Sequence, residues 1–339
     1  MPATLRDVAA HAGVSLRTVT NVLSGYKHVS ENTRQRVHAS IEELGYRPNP
    51  VAQTLRTGRT GVLALIVPEI DVPYFSELAR HVIDAAAAVG YRVMIDHTGH
   101  NQERERELLT STDRGMLFDG ILFCPLVTRA ELDQMNGRTS MPLVLLGEHE
   151  FDGRYDHVAI DNIQAAHDAT RHLLDLGRTR IAAIGPQPNE TFTTPRQRTI
   201  GYEIALREVG ITPDPALVQP ATHYRRADGY HATRALLAAD RSPDAIFCYS
   251  DPLAMGALRA AHDLGLRVPD DIAIIGIDNI EEGRYSLPSL STVSLDTRHI
   301  AHEAVSHITA RIDNPDTPAE EVVARHTVIP RESTTGKTA

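Results

Sequence analysis

Thr4-Leu-Arg-Asp-Val-Ala-Ala-His-Ala-Gly-Val-Ser-Leu-Arg-Thr-Val-Thr-Asn-Val-Leu-Ser24 decides how this chain begins. Thr4 with Asp7 three residues later is a capping-box arrangement. Leu5, Val8, Ala9 and Ala12 follow the i, i+3, i+4, i+7 spacing of a helix with one apolar face. Gly13 stops that helix, and a second is expected from Ser15 to about Ser24. At about 100° per residue, Val19, Val22 and Leu23 fall on one arc, and Leu16, Arg17, Thr20 and Asn21 on the other. Ala9 is small where the two helices would cross, Gly13 makes the turn, and Val19 plugs the shared core. This is the spacing of a helix-turn-helix; an ordinary helical hairpin is the plainer alternative.

Working outward, a third helix capped by Ser30 is expected to bury Val37, Ile41 and Leu44 and to end at Gly45. The net charge of −10 argues against nucleic acid, but its distribution reverses the argument. Residues 1–60 carry eight basic side chains against four acidic ones, a local +4 that leaves −14 for the remainder. A basic head on an acidic body suits a small module that meets phosphate. The second helix would enter the major groove with its N-terminal residues at base edges. Arg17 is the candidate for a bidentate contact to guanine, and Asn21 for adenine or phosphate. Leu16 is placed at a thymine methyl; Ser15 and Thr18 are placed at the backbone, with Thr20 on the same exposed arc.

Arg47-Pro-Asn-Pro-Val-Ala-Gln-Thr-Leu-Arg-Thr-Gly-Arg-Thr-Gly61 is a linker in which Asn49 can cap a short helix and Pro50 suits its first turn. A helix of about seven residues needs a partner to form. From Val62 onward, apolar strands alternate with amphipathic helices. Strands are expected at 62–67, 92–95, 120–124, 143–146, 180–184, 245–248 and 272–277. Helices are expected at 75–89, 165–176, 201–209, 229–238 and 253–264. About 270 residues of this alternation predicts an α/β body of two lobes with doubly wound parallel sheets.

Other classes are disfavoured. No apolar run approaches the roughly 20 residues of a membrane span. The start lacks the apolar core of a secretory signal, which predicts a cytoplasmic protein. Cys124 and Cys248 sit in apolar runs and read as buried thiols. His302 and His307 are five residues apart, so on a helix they diverge by about 140° and cannot share a metal. The sequence contains no phosphate loop of the GxxxxGK[ST] kind, GxSxG elbow or CxxC pair, and neither a catalytic residue nor a cofactor is assigned. A non-enzymatic protein is the expectation, with an α/β enzyme carrying a DNA-binding head, a solute-binding receptor and a regulator controlled by a protein partner as rivals.

The headpiece stretch and Leu44-Gly-Tyr-Arg-Pro-Asn-Pro50 resemble the LacI/GalR repressor family, and the likeness continues through most of the chain. Asp161-Asn162, Arg198-Thr-Ile-Gly201, Ser250-Asp251-Pro-Leu-Ala-Met-Gly256 and Gly276-Ile-Asp-Asn279 match its motifs in order. The resemblance implies a repressor acting as a homodimer on double-stranded operator DNA, with a small-molecule effector, most plausibly a carbohydrate, in a periplasmic-binding-protein-like body. It implies a headpiece at 1–47, a hinge at 48–60, a first lobe at 61–160 and 292–321, and a second at 161–291 and 322–339. Ala52-Gln-Thr-Leu55 matches the family's hinge motif, which makes Leu55 the minor-groove wedge, with Ala52 and Arg56 beside it; Leu55 packing on the headpiece is the alternative. Ligands of such folds bind at the carboxyl ends of strands. The resemblance makes Arg198 and Asp278 the foremost ligand contacts, a pair suited to vicinal hydroxyls, or else a structural salt bridge. Family position makes Tyr74, Phe75 and Tyr224 ring-stacking candidates, though core packing explains Phe75 nearly as well. Asp71, Glu148 and Asp251 are weaker polar candidates at strand ends, and Asp251 equally suits a helix cap.

Overall fold

The computed structural model describes residues 3–23, 26–46, 58–99, 101–110, 117–125, 141–147, 153–187, 193–239 and 242–336. Ala52, Leu55, Arg56, Glu148 and nearly all of the expected hinge lie outside these residues. The chain divides into two compact units, Met1–Gly61 and Val62–Ala339.

In the first unit, α1 (Leu5–Ala12), α2 (Leu16–Leu23) and α3 (Glu31–Glu43) form as local chemistry dictates. The Asp7 N–H donates to the Thr4 hydroxyl and the Asp7 carboxylate accepts the Thr4 N–H, closing the capping box. Gly13 ends α1 at φ 64°, the left-handed region where a residue without Cβ pays no steric penalty. Val8, Val19 and Val37, one from each helix, are fully buried together. Leu23 departs from the expected arc: it is exposed, while Val19 and Val22 carry the α2 contact.

Among the described residues the second unit holds two six-stranded sheets. The first comprises β1 (Val62–Val67), β2 (Arg92–His97), β3 (Gly120–Phe123), β4 (Leu143–Gly147), β5 (Asp156–Ile160) and β11 (Glu321–Ala324), in the order β11-β5-β4-β3-β1-β2. The second comprises β6 (Ile181–Ile184), β7 (Val218–Gln219), β8 (Ala245–Cys248), β9 (Ala273–Ile277), β10 (Ser291–Leu295) and β12 (His326–Ile329), in the order β12-β10-β9-β8-β6-β7. All pairings are parallel except β10 with β12. Between the strands run α4 (Pro73–Ala88), α5 (Gln102–Thr110), α6 (Asn162–Asp175), α7 (Thr193–Glu208), α8 (Arg226–Ala238), α9 (Asp251–Asp263), α10 (Glu281–Arg284) and α11 (Thr297–Asp313), with α12 (Glu332–Thr335) at the end. Strands β8 and β9 are buried along their whole length, as central parallel strands covered on both faces must be. Among the described residues no helix is long and apolar enough to cross a membrane.

The chain passes between the sheets after β5, at Asp296 and at Arg325. The last two passages touch: the Asp296 N–H donates to the Arg325 carbonyl at 3.3 Å. Residues 292–295 therefore join the second sheet and 322–324 the first, opposite to the lobe boundaries read from the sequence. The reason is tertiary pairing, β10 along β9 and β11 along β5. Ser-Thr-Val-Ser-Leu295 reads as polar, yet Ser291 and Thr292 are fully buried, because their hydroxyls donate to the Arg331 carbonyl (3.1 Å) and to Asp251 Oδ1 (2.7 Å). Asp156, which opens β5, is likewise buried against Arg311 of α11.

Candidate DNA-binding surface and interlobe cavity

The headpiece presents α2 along a face its core does not use. Ser15 precedes the helix, and its hydroxyl accepts the Thr18 N–H at 3.1 Å and lies 2.8 Å from the Thr18 hydroxyl. Thr20 turns inward on its own helix, donating to the Leu16 carbonyl at 3.0 Å. Leu16 is 44% exposed, although no solvent-facing role in folding calls for a leucine there. Arg17 is exposed and no salt bridge holds it among the described residues. Asn21 is half-buried. Arg36, by contrast, is spent internally: its guanidinium donates to the carbonyls of Ala12 and, at 3.4 Å, Gly13, fixing the turn from α3. Arg34 likewise reaches inward to the Tyr26 carbonyl at 3.3 Å, whereas Arg6, Arg17 and Lys27 are exposed.

In the second unit, a cavity of about 150 Å³ opens where the two sheets' carboxyl ends meet. Tyr74, Phe75, Arg198, Tyr224 and Asp278 all line it. Tyr74 and Phe75 follow β1 and lie edge to face, ring centroids 5.1 Å apart, on the first-lobe side. Arg198 projects from α7 and is 6% exposed. Its Nε donates to Asn162 Oδ1 at 2.9 Å and its Nη1 to the Tyr249 carbonyl. Asn162 in turn approaches the Ile160 carbonyl (3.4 Å) and the Thr194 hydroxyl (3.5 Å). The guanidinium is therefore aimed from two segments, by Asn162 of α6 and by the Tyr249 carbonyl after β8.

Asp278 leaves the end of β9 at φ 120°, a conformation rare for any residue but glycine. Its N–H donates to the Val293 carbonyl at 2.9 Å, which holds the turn. Burial pushes its carboxyl above the ordinary carboxylate range, while the Arg198 guanidinium and the Asp251 amide draw it back. Arg198 and Asp278 form no ion pair with each other among the described residues, so each keeps hydrogen-bonding capacity toward the cavity.

Two expected contacts stand elsewhere. Asp251 is fully buried behind the cavity wall: its Oδ2 accepts the Ile280 N–H at 3.0 Å and its Oδ1 the Thr292 hydroxyl. It ties α9 to the β9–β10 connection, and burial with the nearby Asp278 charge raises its carboxyl well above the usual range. Ser250, not Asp251, caps α9, accepting the Leu253 N–H. Asp71 is exposed and lines a separate open groove. Conversely, Asn162, Thr194, Gln187 and Glu69 also line the cavity. The Asp161-Asn162 pair signals Asn162; nothing in the sequence marks the other three.

The comparisons fit this geometry. Residues 4–49 match the model for "Bacterial regulatory proteins, lacI family", and residues 170–334 that for a "Periplasmic binding protein-like domain". The HTH-type transcriptional regulator RegA of Clostridium saccharobutylicum is 30% identical over 334 residues, 98% of this chain and 100% of that protein. The chain belongs to the LacI family of bacterial regulatory proteins. It is a DNA-binding transcriptional regulator, in a family of regulators and not of enzymes, with an effector-binding body behind its helix-turn-helix head. Among solved structures, a LacI-family regulator from Sanguibacter keddieii is 39% identical, covering 82% of this chain and 100% of its own, with a TM-score of 0.75. The transcriptional regulator CelR in complex with cellobiose is 30% identical, covering 98% and 99%, with a TM-score of 0.73. The LacI-family regulator holds an aimed arginine and a strained aspartate at its cavity.

Proposed function

We propose that this regulator is a cytoplasmic homodimeric repressor whose affinity for an operator is set by a carbohydrate bound between its lobes. The observation that carries the effector class is the cavity wall: Arg198 and Asp278 turn hydrogen-bonding capacity toward one space beside the rings of Tyr74, Phe75 and Tyr224. Such a donor–acceptor pair takes vicinal hydroxyls, and aromatic faces take the apolar side of a sugar ring. The cellobiose complex of a regulator alike over nearly the whole chain supports the same class. On the DNA side, Ser15, Leu16, Arg17, Thr18, Thr20 and Asn21 form the reading surface, and two heads in a dimer would meet a two-fold operator. Ala52, Leu55 and Arg56 would follow in the minor groove as a helix that folds against DNA. Ligand-driven closure alters operator affinity only through unequal affinity for the two lobe arrangements.

Thermal melting of the full chain against a panel of mono- and oligosaccharides tests the effector: at least one neutral sugar raises the midpoint, and a panel without any shift overturns the carbohydrate reading. On DNA, Arg17→Ala lowers affinity for the operator by about 1–3 kcal/mol while non-specific binding holds. Equal loss on both DNAs would recast Arg17 as a phosphate contact.

A further inference from the structure

One ion pair joins the two lobes beside the cavity. Glu69 follows β1 in the first lobe and lines the cavity; Arg225 precedes α8 in the second lobe. Arg225 Nη2 donates to Glu69 Oε1 at 2.7 Å. The partners differ in setting, with the Glu69 side chain 12% exposed and that of Arg225 57% exposed. Arg225 is also steadied at its base, where its N–H donates to Asp228 Oδ2 at 3.2 Å, and its neighbour Tyr224 lines the cavity. A carboxylate has acceptor sites for about four hydrogen bonds, so holding Arg225 is compatible with accepting one from a ligand.

The cavity thus faces its occupant with carboxyl groups from both lobes, Glu69 and Asp278, and one guanidinium, Arg198. Its volume of about 150 Å³ matches that of an engineered cavity that accepts a single benzene ring. We propose that Glu69 is a specificity-determining residue, positioned by Arg225 of the opposite lobe, and that together they select an uncharged polyol of one ring. The carboxylate accepts a ligand hydroxyl and repels an acidic analogue of the same sugar; Arg225 holds it in place when the lobes are closed. This rests on the carbohydrate reading above and goes further, naming charge and size.

Calorimetric titration of the full chain with D-glucose, D-galactose, D-mannose and D-ribose, beside D-glucuronate, D-galacturonate and cellobiose, tests it. Wild type binds a neutral monosaccharide about tenfold or more tighter than its uronate or cellobiose. Glu69→Gln, an isosteric change, weakens the neutral sugar about tenfold and brings its ratio to the uronate toward one. Arg225→Ala, which removes no cavity-lining group, weakens the neutral sugar about threefold, and Arg225→Lys recovers most of it. A Glu69→Gln protein with unchanged affinity and unchanged neutral-to-uronate ratio overturns the inference alone. Binding of cellobiose but of no monosaccharide does the same. Binding of no sugar by the folded wild type removes the carbohydrate reading and this inference with it.

Discussion

Asp278 shows how far a single residue departs from what folding alone would select. Its φ of 120° costs roughly 1–3 kcal/mol. Its carboxyl is buried, and burial raises it above the ordinary value of 3.8. The folded state then holds the proton more tightly than the unfolded chain, so stability falls as pH rises from that ordinary value through the raised one. Asp278→Asn removes the cost of burying the charge and leaves the backbone strain as it is. The expected outcome is a higher melting midpoint than wild type at pH 8 without effector, a gap that closes toward pH 4, and effector affinity about tenfold lower. A pH series of calorimetric melts checks it, and a lower midpoint at pH 8 contradicts it. Asp251, by contrast, sits at the end of the neighbouring strand and serves the fold, tying Thr292 and Ile280 to α9. Position at a strand end does not say which way a side chain faces; the crossover beside it decides.

At the scale of elements, glycines record how closely helices approach. Gly201 of α7 packs on α6 so tightly that a Cβ would stand 2.1 Å from the Ile163 carbonyl oxygen. Gly229 of α8 and Gly256 of α9 meet the facing helix backbone at 2.0 Å in the same way. The first contact brings Asn162 and Arg198 together, since α6 carries one and α7 the other. Gly201→Ala must push the helices apart, so we expect a loss of about 1–3 kcal/mol by urea unfolding together with weaker effector binding. Unchanged stability would mean that the two helices separate freely. Such pairs are legible in the sequence only as isolated glycines within helical patterns, because the clash is with a backbone met through folding. Helix starts also lie earlier than periodicity suggests: α7 begins at Thr193, eight residues before the apolar pattern at 201, and its first turns carry Thr194 and Arg198, which both meet Asn162.

At the scale of the whole molecule, the body is fastened where strands change sheet. His326, one residue past the Arg325 passage, contacts Asp168 Oδ2 at 2.9 Å through Nε2. Asp168 also meets His167 Nδ1 at 3.0 Å, and His167 Nε2 meets Glu208 Oε2 at 2.9 Å. The cluster joins α6, α7 and β12. Burial lowers the His167 pKa, but its hydrogen bonds and charge interactions with Asp168 and Glu208 outweigh that, and the net shift is upward. A raised histidine contributes stability that is fully present below its ordinary 6.5 and is lost as pH rises through the higher value. His167→Gln should therefore flatten the decline in melting midpoint above pH 6.5; a variant that declines as steeply as wild type would place the pH dependence elsewhere.

What the sequence determined by itself is local. Thr4 with Asp7, Gly13, and the valines at 8, 19 and 37 specify the head, because caps, turns and helical periodicity act over a few residues. The apolar runs of β1, β8 and β9 announce buried parallel strands for the same reason. Only the tertiary structure decided which sheet takes β10 and β11, which aspartates face the cavity, and that Glu69 meets Arg225 across 156 positions. Those outcomes depend on partners brought close by folding, and a polar strand such as Ser291–Leu295 becomes a strand only when those partners satisfy its hydroxyls.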